Sequence, residues 1–177
     1  GGGEGGGGGG VAAGCGLQSG GPGACAKTFP GLGNTAIETH RALPRLGTPV
    51  EQLLRDDMPP FRAAIQAGVA AVMTTHTIFT ALDDQLPATL SPVIIQRLLR
   101  GDLAFDGVVS SDCMEMKAIA DNFTPAETAV LGALAGLDVI LFSHTQVVQE
   151  QANNGLLAAV QLGRVPLSRI DEANRRI

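Results

Sequence analysis

The sequence predicts an α/β fold built on a parallel sheet, because short apolar runs alternate along the chain with longer helical stretches. The apolar runs do not alternate strictly with polar residues, as is typical of strands buried on both faces of a parallel sheet. The predicted order is βαβαβαβα. Four such units are half of a (βα)8 barrel, whose usual length is about 250 residues. A small open doubly wound sheet is the alternative.

The predicted strands are short, and each begins with a glycine or lies close after one. They are 23–29 (GACAKTF), 69–75 (VAAVMTT), 105–111 (FDGVVSS) and 136–142 (GLDVILF).

The predicted helices have recognisable start and stop signals. The clearest are 91–101 and 124–136, since each opens with an N-cap hydroxyl followed by proline and ends at a glycine. Glu127 stands three residues after Thr124, as a capping box requires. Prolines 59 and 60 should start a second helix within 50–68, because proline lacks the amide that continues a helix. The remaining helices are predicted at 145–163 and 166–177, with a short one through Met116 to Ala120.

Composition excludes several classes of protein. Hydrophobic residues make up 45% and charged residues 16% of the 177, which is typical of a globular domain. The net charge is −5, the 12 Lys and Arg form no basic run, and Trp and Tyr are absent, so nucleic-acid binding is not expected. No apolar run approaches the roughly 18 residues of a membrane span. Cys15, Cys25 and Cys113 have no zinc-ligand spacing, so neither metal nor cofactor is predicted, and their odd number favours a reducing compartment.

The first ten residues are nine glycines and Glu4. Glycine contributes no side chain to a core and loses much backbone entropy on ordering. Segment 1–10 is therefore expected to be a disordered or artefactual tail, and 11–177 to form the domain.

Polar residues collect just after the predicted strands, where the chemistry of parallel α/β folds is usually found. All three histidines of the chain follow a predicted strand. In chain order the candidates are Lys27, Thr28, Glu38 and His40 after the first strand, His76 after the second, Asp112 after the third, and His144 after the fourth.

Each candidate also has a structural explanation. Asp112 is explained equally well as the N-cap of the short helix that follows it. Lys27, at the end of a buried strand, requires an anionic partner or a ligand. His40 is equally explained as a solvated loop histidine, and Glu38 as a surface charge. His76 is equally explained as a hydrogen-bonded buried histidine, and His144 as a helix-capping residue.

The glycine-rich loop GLGNTA at 31–36 is a poor phosphate site. It lacks the third glycine of G-x-G-x-x-G and the G-K-[ST] ending of a P-loop, so nucleotide binding is disfavoured.

Three segments together resemble glycoside hydrolase family 3. AKTFPGLGNTAIETH (26–40) is similar to its signature K-H-F-P-G-H-G, spacer, D-[ST]-H. FDGVVSSDCMEMKAI (105–119) resembles its nucleophile segment, and AVMTTHTIFTALDDQLPATLSP (71–92) resembles the segment between them. The similarity runs from about residue 16 to 177, and the bacterial β-N-acetylglucosaminidases, which act on peptidoglycan fragments, are the subgroup it fits best.

The resemblance implies a TIM barrel and a retaining glycosidase. Asp112 would be the nucleophile, His40 the acid/base and Glu38 the carboxylate that orients it. Lys27, Thr28, His76 and Met114 would contact the sugar.

Three positions depart from the family pattern. Thr28 replaces a His, Leu32 replaces the second His of the loop, and Glu38 replaces an Asp. The extra methylene of Glu38 is expected to displace its carboxylate by about 1 Å, an error that can cost about 10²-fold in rate.

The matched segments correspond to the second half of the family's barrel, with about four βα units. The chain is therefore expected to be a partial family 3 catalytic domain: a fragment, a half-barrel that self-associates, or a degenerate product, with a fragment favoured. The alternative function is a weakly active or inactive sugar-binding module. The subgroup resemblance implies cell-wall recycling in the cytoplasm, although some relatives are exported. It implies a carbohydrate substrate, and neither a membrane partner nor a cofactor is expected.

Overall fold

The structure is a computed structural model of the whole chain, and it describes Gly14, Gly16, Gly20, Gly21 and residues 23–31 and 43–177. The glycine tail predicted at 1–10 lies outside the described residues. Leu32, Glu38 and His40 also lie outside them.

A parallel sheet forms the centre of the described fold. Its strands are β1 (Cys25–Phe29), β3 (Ala71–Thr74) and β5 (Val108–Ser110), in the order β1-β3-β5. Ala71 of the central strand pairs with Cys25 on one side and Val108 on the other. Three of the predicted strands are therefore confirmed, each somewhat shorter than its apolar run.

A second parallel pair joins β2 (Arg45–Leu46) to β4 (Ile78–Phe79). Each of these strands has two residues, too few to leave a hydrophobic period in the sequence. The pair ties the chain that follows β1 to the chain that follows β3.

The fourth predicted strand, 136–142, is wrong as a strand. Val139 makes one parallel bridge to Ser110 and the ladder goes no further. The carbonyl of Val109 accepts from both Asp138 and Val139 N–H, while the Val109 N–H donates to the Asp138 carboxylate at 3.0 Å. A side chain thus takes the place of the backbone partner that a regular ladder would need.

Helices flank the sheet at most of the predicted positions. The break before Pro59 is confirmed, since one helix ends at Asp56 and the next begins at Met58. The helices are α1 (Val50–Asp56), α2 (Met58–Gln66), α3 (Val93–Asp102), α4 (Lys117–Ala120), α5 (Pro125–Ala135), α6 (Gln146–Gln161) and α7 (Leu167–Arg176), with a 3-10 turn at Ala88–Leu90.

The capping signals explain where α5 begins and ends. Thr124 Oγ1 accepts from the Glu127 N–H, and the Glu127 carboxylate accepts from the Thr124 N–H at 2.8 Å, so the capping box is confirmed. Gly136 ends the helix with φ 112°, a left-handed conformation that glycine adopts without strain.

Helix α3 departs from the prediction in its hydrogen bonding, which is of π type. Its start agrees with the sequence signal, since Ser91 Oγ accepts from the Ile94 N–H at 3.3 Å. The apolar face of α3 packs Ile94, Ile95 and Leu99 into the main core, together with Val72 and Val109 of the sheet.

A smaller core lies between α5, α6 and α7, built around Val130, Ala133, Ala159 and Val165. Helices α5 and α6 also approach closely at Gly155, where an added Cβ would lie 2.7 Å from the Cα of Ala126. In the part of the chain that the structure describes, no helix combines the length and the apolar character needed to cross a membrane.

A buried charge cluster joins two helices to the edge of the sheet. The side chain of Asp138 is fully buried and contacts Arg100 of α3 at 2.6 Å. Its other oxygen contacts Arg169 at 2.7 Å and Arg176 at 3.3 Å, both from α7. The Asp138 cluster holds the amino-terminal part of β5, because Asp138 accepts from the Val109 N–H and Arg100 donates to the Gly107 carbonyl. The strand leads from there to Asp112 at its opposite end.

Candidate active site

Asp112 lies just beyond the carboxyl end of β5, with its carboxylate partly open to solvent at 27% side-chain exposure. Its Oδ1 accepts from the Cys113 N–H at 2.8 Å. Its Oδ2 lies 3.6 Å from Lys27 Nζ. The N-cap alternative is wrong, because α4 begins at Lys117 with Met116 as its cap. The carboxylate is therefore free of a helix end and faces a cation.

Lys27 reaches Asp112 from β1, the opposite edge strand of the sheet. Its side chain is 59% exposed, so the ion pair lies at an open surface rather than inside the core. The register between β1 and β3 shifts between Lys27 and Phe29, which leaves Thr28 without a partner in the ladder. Such irregularities are frequent beside active sites, where they redirect a side chain. The partner that Lys27 required is thus Asp112.

Thr28 is half-buried at this irregularity. The peptide bonds Lys27–Thr28 and Phe29–Pro30 are both cis. The Phe29 ring next to it is fully buried and meets Phe61 edge-on, with ring centroids 5.1 Å apart.

His76 is only 2% exposed and lies between the ends of β3 and β5. Its Nε2 is 2.9 Å from the carbonyl oxygen of Cys113, and its Nδ1 is 3.0 Å from Thr89 Oγ1. Burial lowers the pKa of His76 from its ordinary value of 6.5, against the opposing effects of the Cys113 carbonyl and the Asp112 charge. Of the two explanations given for His76, the structure therefore shows the hydrogen-bonded buried histidine. Its Nε2 bonds to the carbonyl of Cys113, the residue after Asp112.

Behind His76 lies a network of buried hydroxyls that sequence reasoning missed. Thr89 Oγ1 lies 2.9 Å from the Thr75 carbonyl oxygen and 3.0 Å from Thr74 Oγ1. Thr74 Oγ1 also lies 3.3 Å from the carbonyl of Ser110, in the neighbouring strand. The signal in the sequence was a run of threonines around His76 with another in the P-A-T-L-S turn, and threonine hydroxyls buried in a core require such partners.

Met114 is 2% exposed and belongs to the main core. It also lines a cavity of about 290 Å³, together with Phe123, Phe142 and Val148 among others. The Met114 N–H donates to the carbonyl of Leu141 at 2.8 Å. Its contact with a sugar stays a prediction.

The remaining candidates divide between described and undescribed parts of the chain. The side chain of His144 is exposed, and its backbone N–H donates to Glu115 Oε1 at 2.7 Å just before α6. That bond lowers the pKa of Glu115. The roles of Glu38 and His40 stay predictions, since both residues lie outside the described ranges. Within those ranges, no group of three His, Cys, Asp or Glu side chains is arranged to hold a metal ion.

Comparison with known sequences identifies the family. The Glycosyl hydrolase family 3 N terminal domain matches residues 10–177. The chain belongs to glycosyl hydrolase family 3. The resemblance found in its three segments is thereby confirmed.

Relatives within family 3 share most of this chain. A β-hexosaminidase of Chromobacterium violaceum is 34% identical over 145 residues, which cover 82% of the chain and 39% of that protein. The chain therefore spans about two fifths of the length of such a family 3 relative.

Solved family 3 structures have the same fold. A β-N-acetylglucosaminidase from Paenibacillus sp. aligns with a TM-score of 0.92 and 46% identity, over 94% of this chain and 32% of that one. The β-N-acetylglucosaminidase from Thermotoga maritima aligns with a TM-score of 0.85 and 36% identity, over 94% of this chain and 36% of that one. The expected α/β class is confirmed, with the TIM-barrel-like fold of family 3 domains, and the described residues form a three-stranded parallel sheet and a second parallel pair.

Proposed function

We propose that the chain carries the nucleophile of a retaining glycosidase that releases terminal β-linked N-acetylglucosamine. The observation that carries the proposal is Asp112 at the end of β5, with one carboxylate oxygen bound by the Cys113 N–H and the other facing Lys27. The relatives of this chain are named β-hexosaminidase and β-N-acetylglucosaminidase, which supports the choice of sugar.

In the first step, the Asp112 carboxylate forms a bond to the anomeric carbon of the sugar while the bond from that carbon to the leaving oxygen breaks. The bonding electron pair departs with the leaving oxygen, which takes a proton from the His40 imidazolium. Lys27 lies beside the carboxylate before attack, and its ammonium can then donate to a sugar hydroxyl as the charge of Asp112 is lost.

In the second step, His40 accepts a proton from water as the water oxygen bonds to the anomeric carbon. The ester bond to Asp112 breaks, and the carboxylate is restored. Imidazole suits both roles because it titrates near neutral pH. The Glu38 carboxylate would hold the imidazole in one tautomer and stabilise its cation. The resemblance of 26–40 to the family signature supports these two assignments.

The test is hydrolysis of an aryl N-acetyl-β-glucosaminide. Asp112→Ala is expected to abolish turnover, and a 5-fluoro-N-acetylglucosaminyl fluoride is expected to label Asp112, as peptide mass spectrometry would show. Asp102→Asn serves as the matched control, since Asp102 is an exposed carboxylate at the end of α3. Full activity in Asp112→Ala would disprove the nucleophile assignment.

A second candidate is a sugar-binding module without turnover. The observation that favours it is the departure of Thr28 and Glu38 from the family pattern. Calorimetry would then show N-acetylglucosamine binding with no hydrolysis at high protein concentration. Recovery of turnover in the double variant Thr28→His, Glu38→Asp would instead assign the loss to these two side chains.

Peptidoglycan fragments are the natural substrate we propose, on the strength of the subgroup resemblance. Comparing turnover of N-acetylglucosaminyl-anhydromuramic acid with that of chitobiose tests this choice, and a strong preference for chitobiose would contradict it. A cytoplasmic address is proposed on the same basis, and fractionation of the source cells tests it.

A further inference from the structure

His76 faces the backbone that follows Asp112 rather than the open side of the site. Its ring is 2% exposed, and its Nε2 lies 2.9 Å from the carbonyl oxygen of Cys113. A carbonyl oxygen only accepts hydrogen bonds, so Nε2 must carry the hydrogen. This holds for the neutral Nε2–H tautomer and for the cation alike, so the bond persists in either charge state.

The backbone around Cys113 is held at three successive points. The Cys113 carbonyl accepts from His76, and the next N–H, that of Met114, donates to Leu141 at 2.8 Å. The preceding N–H, that of Cys113 itself, donates to Asp112 Oδ1 at 2.8 Å. Because these groups belong to two adjacent peptide units, rotation of one moves the other. The direction of the Asp112 carboxylate is therefore coupled to the bond made by His76.

The other side of the imidazole is also bound to protein. Nδ1 lies 3.0 Å from Thr89 Oγ1, which in the neutral Nε2–H tautomer donates its single hydrogen to Nδ1, while the Thr75 carbonyl lies 2.9 Å from the same hydroxyl oxygen. Both ring nitrogens are thus engaged, and neither is left for a sugar hydroxyl.

We propose that His76 is a positioning residue, which directs the carboxylate of Asp112 through the Cys113 backbone instead of contacting the sugar. The kinetic consequence of this inference rests on the proposed glycosidase function. The structural consequence does not, because the hydrogen bonds exist without substrate.

The kinetic test compares two replacements of His76. His76→Phe retains an aromatic ring without a donor, and His76→Gln retains an amide N–H near the position of Nε2. We expect His76→Phe to lower kcat/KM by on the order of 10²-fold, the cost of misplacing a reacting group by about 1 Å. The affinity for N-acetylglucosamine should stay unchanged, and His76→Gln should recover most of the rate. Gln161→Phe, which replaces an exposed side chain at the end of α6, is the control and should change neither quantity.

Two outcomes would overturn the proposal. A loss of sugar affinity that parallels the loss of rate would make His76 a sugar ligand. Equal losses in His76→Phe and His76→Gln would show that the N–H donor is not what matters. Thermal unfolding of each variant confirms that a folded protein is being compared.

Nuclear magnetic resonance tests the positioning role without turnover. In the parent chain, the His76 Nε2–H should show a scalar coupling across the hydrogen bond to the Cys113 carbonyl carbon. The carboxyl carbon resonance of Asp112 should shift in His76→Phe and remain in place in His76→Gln. If the parent chain hydrolyses no glycoside, the proposed function fails, and the coupling and the Asp112 resonance still decide the positioning role. If His76→Phe does not fold, the coupling and the glutamine variant decide it, and an absent coupling overturns it.

Discussion

Replacing Asp138 by Asn should destabilise the chain more than any other conservative change at a single carboxylate of the described fold. The Asp138 side chain has no exposed surface and contacts three guanidinium groups, at 2.6 Å for Arg100, 2.7 Å for Arg169 and 3.3 Å for Arg176. Asparagine retains the shape but removes the charge, and its amide group points hydrogen-bond donors at other donors. Breaking a buried ion pair from one side costs about 3–5 kcal/mol, and we expect a loss of that size.

Asp106→Asn is the matched control, because Asp106 also pairs with Arg176 but its side chain is 95% exposed. An exposed pair contributes less than about 1 kcal/mol, so this variant should unfold like the parent. The assay is urea unfolding followed by circular dichroism, with the free energy of unfolding extrapolated to water. A loss of less than about 1 kcal/mol in the free energy of unfolding of Asp138→Asn would refute the reasoning. It would mean that the three arginines are solvated well enough without the Asp138 carboxylate.

The remaining predictions concern packing, pH and the ion pair of the site. In Gly155→Ala the new Cβ would overlap Ala126 of α5 and lie 2.7 Å from its Cα, so despite a gain in helix propensity a net loss of about 1–2 kcal/mol is expected by thermal unfolding. Gly101→Ala, whose nearest contact would be at 3.5 Å, should instead stabilise by up to about 1 kcal/mol, and loss of stability there would contradict the packing argument. The lowered pKa of His76 means that the unfolded chain binds the proton more readily. The free energy of unfolding should therefore fall as pH drops through about 6.5, by up to about 1.4 kcal/mol per unit, and urea titrations of His76→Gln should lack this component. Lys27→Met should reduce turnover of the aryl glycoside while changing stability by less than about 1 kcal/mol, because the ion pair is exposed; unchanged turnover would exclude Lys27 from the site.

Local signals in the sequence predicted α5 well, because everything that delimits it lies within the helix or next to it. Thr124, Glu127 and Gly136 need only neighbouring backbone groups to act as caps. The fourth strand failed for the opposite reason. Its apolar composition was right, but Asp138 interrupts the ladder, and its partners lie 29 to 38 residues away along the chain.

The same distinction holds for the candidate site. The position of Asp112 after a buried strand was predictable, and the need of Lys27 for an anion pointed to a partner without naming it. The contacts of His76 were not predictable, because Thr89 and Cys113 approach it from two other segments. Thr28 lies at an irregular strand end, and Met114 lies in the core. Both positions depend on packing between distant segments, which a short sequence motif cannot predict.

The Asp138 cluster has a consequence for synthesis on the ribosome. Arg100 precedes Asp138 in the chain, but Arg176 follows it by 38 residues. At about 5–20 residues per second, roughly 2–8 s pass between the addition of the two. Until α7 has been added, Arg100 is the one arginine of this cluster that has been synthesised, and the two α7 arginines follow later. Closure of the sheet edge around β5 is thus coupled to the emergence of α7, so that this corner of the domain is completed after its core strands.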